Sequence, residues 1–260
     1  MRTIGLIGAG VMGEALIVAL KKSGVDGSQI AFHERRSDRA HELVERYGVQ
    51  SLDLNGVAQR DVVLLVVKPQ DMAALLESTE FGPSTLLISF AAGKTTDFIQ
   101  SLSGRSQIIR VMPNTPLLVG AGMSAFSATS AVQAGDKEFL RNLLGAAGAV
   151  IEVPEHLQDS VTATSGSGPA YFFAFVEAMI EAAQSLGLSA ADASTLAIHT
   201  MIGSAKLLAE SGDSPQTLRE KVTSPNGTTA AALASFAQSD LSAIVKRAME
   251  AAHKRSQELA

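Results

Sequence analysis

The chain opens with a short apolar run, Thr3-Ile-Gly-Leu-Ile7, which passes directly into Gly8-Ala-Gly-Val-Met-Gly13 and then a helical stretch, Gly13–Lys22. No other feature constrains the fold as strongly. A G-x-G-x-x-G that follows a strand and opens a helix is in the setting where it holds a dinucleotide. Gly8 permits the tight turn, Gly10 lets a pyrophosphate approach the backbone, and Gly13 lets helix and strand pack closely. The helix N-terminus then offers unpaired N–H groups and a partial positive charge to the phosphates.

Further short apolar runs follow at Ile30–His33, Val62–Val67, Thr85–Ser89, Ile108–Val111 and Ala149–Val153, with helical stretches such as Asp38–Tyr47 between them. Val62–Val67 is continuously apolar, as a strand covered on both faces must be. This alternation predicts an α/β unit over residues 1–153, a doubly wound parallel sheet that binds a dinucleotide. The texture changes after Pro154: the last 100 residues hold 22 Ala, the first 160 only 18. Ala is the strongest helix former, so residues 160–260 are predicted to be an all-α unit. Pro169 suits the first turn of a helix running to about Ser185. From Ala170 to Ala183 only Glu177, Glu181 and the Tyr171 hydroxyl interrupt its apolar surface. A helix apolar nearly all round needs cover on most sides, and so short an all-α unit supplies little, so a second subunit is expected. The closing helix, Leu241–Glu258, is amphipathic.

Composition narrows the function. Lys plus Arg is 21 against 26 Asp plus Glu, a net charge of −5, which speaks against a nucleic-acid binder. The absence of Cys removes disulfides, thiolate metal sites and Cys nucleophiles, and five scattered His give no metal-ligand spacing, so no metal is expected. No run approaches the roughly 20 apolar residues of a membrane span, and no signal-peptide core follows Met1. The expectation is a cytoplasmic protein with no membrane partner.

The end of the second strand, His33-Glu34-Arg35-Arg36-Ser37, should choose the cofactor. Glu34 lies 21 residues after Gly13, near the acidic position that binds a ribose 2′-hydroxyl in NAD. Arg35, Arg36 and Ser37 instead suit the 2′-phosphate of NADP, because guanidinium groups grip phosphate bidentately. On balance NADPH is predicted, with NADH as the alternative.

Later segments are unusual in combination. Val66-Val-Lys-Pro-Gln70, Ser89-Phe-Ala-Ala-Gly93 and Arg110-Val-Met-Pro-Asn-Thr-Pro116 end the third, fourth and fifth of these strands, where ligands of such sheets bind. Ser165-Gly-Ser-Gly-Pro-Ala-Tyr171 and Val222-Thr-Ser-Pro-Asn-Gly-Thr-Thr229 come far downstream. Together and in this order they resemble the pyrroline-5-carboxylate reductase family, over nearly the whole chain. The resemblance implies an N-terminal Rossmann domain, a helical dimerisation domain, and NAD(P)H-dependent reduction of a cyclic imino acid to L-proline, the last step of proline biosynthesis. It also implies homodimers, in many members assembled further into decamers.

By the same resemblance Gly8, Ala9, Gly10, Val11, Met12 and Gly13 form the pyrophosphate loop. Arg35, Arg36 and Ser37 meet the adenosine end. Val67, Lys68 and Pro69, with Ala91, Ala92 and Gly93, form the walls of the cleft, and Asn114 and Pro116 its floor near the nicotinamide. Ser224, Asn226, Gly227, Thr228 and Thr229 form the imino-acid loop, and the Thr229 hydroxyl faces the imine nitrogen. Thr229 is the one catalytic candidate, by polarisation and positioning, since a Thr hydroxyl is a poor general acid; it is also a good helix N-cap. Three positions depart from the family pattern. Asn226 stands for the first Gly of a Pro-Gly-Gly, Glu34 for a smaller or neutral residue, and Asp53 for an Asn before the third strand. Two alternatives compete: another imine or β-hydroxyacid dehydrogenase on the same plan, and a non-catalytic dinucleotide-binding regulator. No Lys-x-x-x-Asn spacing accompanies Lys206, and the intact Val222–Thr229 loop argues against a regulator.

Overall fold

The structure is a computed structural model that describes residues 2–259. The chain forms two compact units: residues up to Ser167 with the segment from Ala252 onward, and Gly168–Ala251.

The first unit is built on a sheet of order β3-β2-β1-β4-β5-β6-β7-β8. Its strands are β1 Ile4–Ile7, β2 Ile30–His33, β3 Gln50–Ser51, β4 Val62–Leu65, β5 Leu86–Ser89, β6 Ile108–Pro113, β7 Gly122–Ala128 and β8 Gly148–Glu152. All neighbours pair in parallel except β6 and β7, which are antiparallel. Helices α1 Val11–Lys22, α2 Ser37–Tyr47, α3 Leu54–Ala58, α4 Met72–Ser78, α5 Thr96–Ser103 and α6 Ala134–Gly145 cover both faces. Successive side chains of a strand point to opposite faces. Accordingly Ile4 and Leu6 join one core cluster, with Leu16, Leu20, Leu43 and Leu140. Ile7, Val63 and Leu65 join the other, with Val57, Met72 and Ile99. β1, β4 and β5 are buried at every residue. The strand order reverses on either side of β1, which places the crevice for a ligand at its carboxyl end.

Two departures from the sequence reading have physical causes. β7, Gly-Met-Ser-Ala-Phe-Ser-Ala, has little β propensity of its own and is a strand because its backbone pairs with both β6 and β8. The first unit also runs past the expected end at residue 153. The short helix α7, Gln158–Val161, and the turn before it pack back on the sheet. There Glu155 and Asp159 flank the buried Arg110 guanidinium at 3.5 and 3.9 Å, and the Gln158 amide donates to Ser127 Oγ. Ser256, near the chain end, is buried and donates to Asp159 Oδ1 at 2.7 Å, so the last residues belong to this unit too.

The second unit is helical: α8 Gly168–Ser185, α9 Ala190–Glu210, α10 Pro215–Lys221, α11 Thr228–Gln238 and the first turns of α12 Leu241–Glu258. α8 packs on α9, and Phe175 meets Phe236 of α11 with ring centroids 6.4 Å apart. Only Gly168, Ala193 and Ala197 are buried between 168 and 251. The large apolar side chains of α8 lie open instead, Phe172 at 61% and Phe173 at 68% exposure. A unit with so small a core does not stand as a closed bundle.

Candidate functional site

The Gly8–Gly13 loop joins β1 to α1. Gly8 has φ +96°, and a Cβ there would stand 2.7 Å from the Val66 carbonyl oxygen, so the turn admits only glycine. Its N–H donates to the His33 carbonyl at 3.1 Å, tying the loop to the end of β2. A Cβ on Gly13 would collide with the Gly8 carbonyl, the close helix–strand approach expected of the third glycine. α1 begins at Val11, two residues earlier than the sequence reading placed it, with Gly10 as N-cap and no side-chain cap. Its first N–H groups therefore face outward unclaimed by a cap, as an anion site requires.

Beside this terminus lies a cavity of about 510 Å³, within the range of small-molecule sites. The ends of β1, β2 and β4 form it: Gly8 and Gly10, then Glu34 and Arg35, then Val67 and Lys68. Helix α4, through Ala74, Leu75 and Ser78, closes another side. That apolar wall escaped the sequence reading; the signal was the helical run directly after Lys68-Pro69. The open loop terminus, the glycine-only turn and the cavity fit a dinucleotide.

Several loop residues act from behind this surface. Ala9 is buried, and its N–H donates to Glu34 Oε2 at 3.3 Å. Glu34 Oε1 accepts the Arg36 N–H at 3.1 Å and, more loosely, Arg36 Nε at 3.4 Å. Met12 packs against the core, whereas Val11 is exposed and, with Arg36, borders the neighbouring cleft over α1 and α2. Ser37 starts α2, and its carbonyl accepts from His41 Nδ1. Lys68 is exposed and N-caps the single 3₁₀ turn that Pro69 opens.

An ion-pair network stands behind α1 that sequence reasoning missed. Glu14 pairs with Arg39 and with Arg46 at 2.8 Å, and accepts from the Tyr47 hydroxyl at 2.6 Å. These bonds, the Tyr47 hydroxyl first and Arg39 next, hold the Glu14 carboxyl below its ordinary 4.5. Burial, then the Glu14 carboxylate, pushes the Tyr47 hydroxyl up. The i,i+3 and i,i+4 spacing of Arg39, Glu42 and Arg46 was readable in α2, but the reach of Arg39 and Arg46 to Glu14 on another helix was not.

The remaining candidates of the first unit do not line this cavity. Ala91 is buried, and Gly93, at φ +74°, packs against the Leu259 carbonyl. Asn114 is held at both ends of its amide: Oδ1 accepts the Met123 N–H at 2.8 Å and Nδ2 donates to the Ser165 carbonyl at 3.2 Å. It braces the segment that Pro116 continues as a 3₁₀ turn.

In the second unit, Ser224, Asn226, Gly227, Thr228 and Thr229 form one turn into α11. Asn226 sits at φ +58°, the left-handed conformation expected of a residue standing for glycine. The N-cap of α11 is Gly227, without a side-chain cap, so Thr229 is not the N-cap that its residue type allowed. Thr228 is exposed and Thr229 half-buried in the first turn, where N–H groups are free to meet a carboxylate.

Comparison with known proteins bears on the family and the fold. Residues 155–259 match the family model for pyrroline-5-carboxylate reductase dimerisation. Residues 3–93 match that for NADP oxidoreductase, coenzyme F420-dependent. The chain is 39% identical to a pyrroline-5-carboxylate reductase of Pseudomonas aeruginosa over 99% of its length and 96% of the relative's. A pyrroline-5-carboxylate reductase structure from Coxiella burnetii superposes with a TM-score of 0.92 at 35% identity, covering 100% of this chain and 98% of that one. One from Plasmodium falciparum, with NADP bound, has a TM-score of 0.85 at 28% identity and covers 99% and 98%.

Proposed function

The chain belongs to the pyrroline-5-carboxylate reductase family and is an NAD(P)H-dependent oxidoreductase acting on a C=N bond, and from that premise we propose which residues do the work. It reduces 1-pyrroline-5-carboxylate to L-proline, the step that completes proline biosynthesis.

NAD(P)H, when bound, supplies the hydride. The chain's own residues bind, orient and polarise. Gly8–Gly13 receive the pyrophosphate on the uncapped N-terminus of α1. Glu34, Arg35, Arg36 and Ser37 meet the adenosine ribose, and Val67, Lys68 and Pro69 form the wall beyond it. Ala91, Ala92 and Gly93, with Asn114 and Pro116, shape the nicotinamide end through their backbone. At the α11 turn, the N–H groups after Gly227 hold the substrate carboxylate, with Ser224 and Thr228 beside them. The Thr229 hydroxyl hydrogen-bonds the ring nitrogen and favours the positive charge there. A cyclic imine takes its proton from water, so no buried acid is required.

The single observation that carries the substrate assignment is the α11 N-terminus. It is an uncapped first turn preceded by Asn226 in the left-handed conformation, within the stretch matched by the dimerisation model. Thr229→Ala tests the catalytic role: kcat should fall at least about tenfold, the loss of one hydrogen bond to a charged group, while NAD(P)H affinity stays unchanged. Unaltered kcat and KM in a folded variant would refute it.

The working state proposed is a cytoplasmic homodimer. Its support is the dimerisation-model match together with Phe172, Phe173, Ile198 and Ile202, apolar side chains of α8 and α9 left open in the single chain. Assembly of such dimers into a decamer is read from the resemblance alone, and light scattering decides it. Among the described residues no helix is long and apolar enough to cross a membrane.

A further inference from the structure

We infer that Glu34 is the residue that sets cofactor preference in this chain, and that it tilts a dual NAD(P)H enzyme toward NADH. The inference rests on reading Gly8–Gly13 and residues 34–37 as the cofactor site.

Three observations carry it. First, Glu34 directly follows β2 and lines the cavity beside Gly8 and Gly10, where an acidic side chain accepts the ribose 2′-hydroxyl. Second, its carboxylate is fixed. Only 12% of the side chain is exposed, and the N–H groups of Ala9 and Arg36 hold one oxygen each. Oε1 serves Arg36 twice, through the N–H and Nε. Oε2 carries the single 3.3 Å bond from Ala9, and a carboxylate oxygen has room for a second donor. A ribose hydroxyl supplies one, whereas a 2′-phosphate brings negative charge against a negative group that cannot swing away.

Third, the guanidinium beside Glu34, which would offset this repulsion, is itself compromised. Arg36 is paired with Glu34 and 62% exposed, so part of its charge is already answered and the rest is screened by water. Arg39 is committed to Glu14 and Glu42. Of the two arginines that follow Glu34, Arg35, exposed at the cavity rim, is the one left to meet a 2′-phosphate, and it keeps NADPH usable. Counting Arg35, Arg36 and Ser37 as three phosphate ligands, as the sequence reading does, overlooks that Glu34 holds one of them.

Titration calorimetry of the full-length protein with NADH, NADPH, 5′-AMP and adenosine 2′,5′-bisphosphate tests this without turnover, and kcat/KM for the two cofactors is measured in parallel. The wild type should bind NADH about tenfold or more tighter than NADPH, as expected for a like charge against a fixed carboxylate. Glu34→Gln keeps the acceptor for Ala9 and removes the charge. It should move the ratio at least about tenfold toward NADPH, with the same shift between the two adenosine fragments. Glu34→Asp keeps the charge and should keep the NADH preference. A wild type that prefers NADPH, with a ratio that Glu34→Gln leaves within about twofold, would overturn the inference. If the folded wild type bound neither cofactor, the cofactor-site reading itself would fall, an outcome distinct from a wrong preference.

Discussion

Gly10→Ala should strengthen the fold and weaken the cofactor. Gly10 caps α1 at φ −68° and ψ −160°, backbone that any residue adopts, and a Cβ there has no atom within 4 Å. Replacing such a glycine stiffens the unfolded chain and stabilises the protein by about 0.4–1 kcal/mol. For a unit of this size that corresponds to a Tm rise of about 1–4 °C. The same open space is where the pyrophosphate is proposed to meet the first N–H groups of α1. A methyl there holds the phosphates off the backbone and forfeits at least one hydrogen bond to a charged group, about 1.5–3 kcal/mol. At about 1.4 kcal/mol per decade, NADH and NADPH affinity should fall roughly tenfold to somewhat over a hundredfold. Differential scanning fluorimetry without ligand and calorimetric titration with each cofactor read the two effects separately. Unchanged affinity would refute the placement of the phosphates, and a drop in Tm would refute the loop geometry.

Other perturbations read other parts of the structure. Asn226→Gly should leave KM for pyrroline-5-carboxylate within about twofold, whereas Asn226→Val forces a β-branched residue to φ +58° and should raise KM about tenfold or more, measured by initial rates at saturating cofactor. Phe173→Glu places a charge on the open apolar face of α8 and should convert the proposed homodimer to a smaller species by light scattering; an unchanged mass would remove that face from the proposed interface. The Glu14 carboxyl is depressed, so its contribution is present above the unfolded value near 4.5 and is lost as pH falls through the lower folded value. Urea midpoints should therefore decline below about pH 4.5, and Glu14→Gln should flatten that decline.

Legibility of the fold and site followed how local each determinant is. Gly8–Gly13 and Val62–Leu65 carry their structure in their own residues, a turn only glycine can make and a strand apolar at every position. Both were readable, as was the left-handed turn at Asn226. β7 was not, because the order of its small and polar residues is imposed by β6 and β8 on either side. Nor could sequence show that Ser256 returns to Asp159, ninety-seven residues away, or that Arg39 and Arg46 reach Glu14 on another helix. At the candidate site, the residue types at 34–37 were legible but their pairing was not. Glu34 and Arg36 look like rival signals in the sequence and form one hydrogen-bonded unit in space.

Transfer of a labelled hydride tests the central claim most directly. The purified protein is given NADH or NADPH carrying deuterium at both C4 positions and 1-pyrroline-5-carboxylate, and the product is read by mass spectrometry and NMR. The expected product is L-proline with one deuterium, on the ring carbon that was doubly bonded to nitrogen. Folded, cofactor-bound protein that yields no labelled proline, or label on any other carbon, would contradict the reaction assigned to these residues.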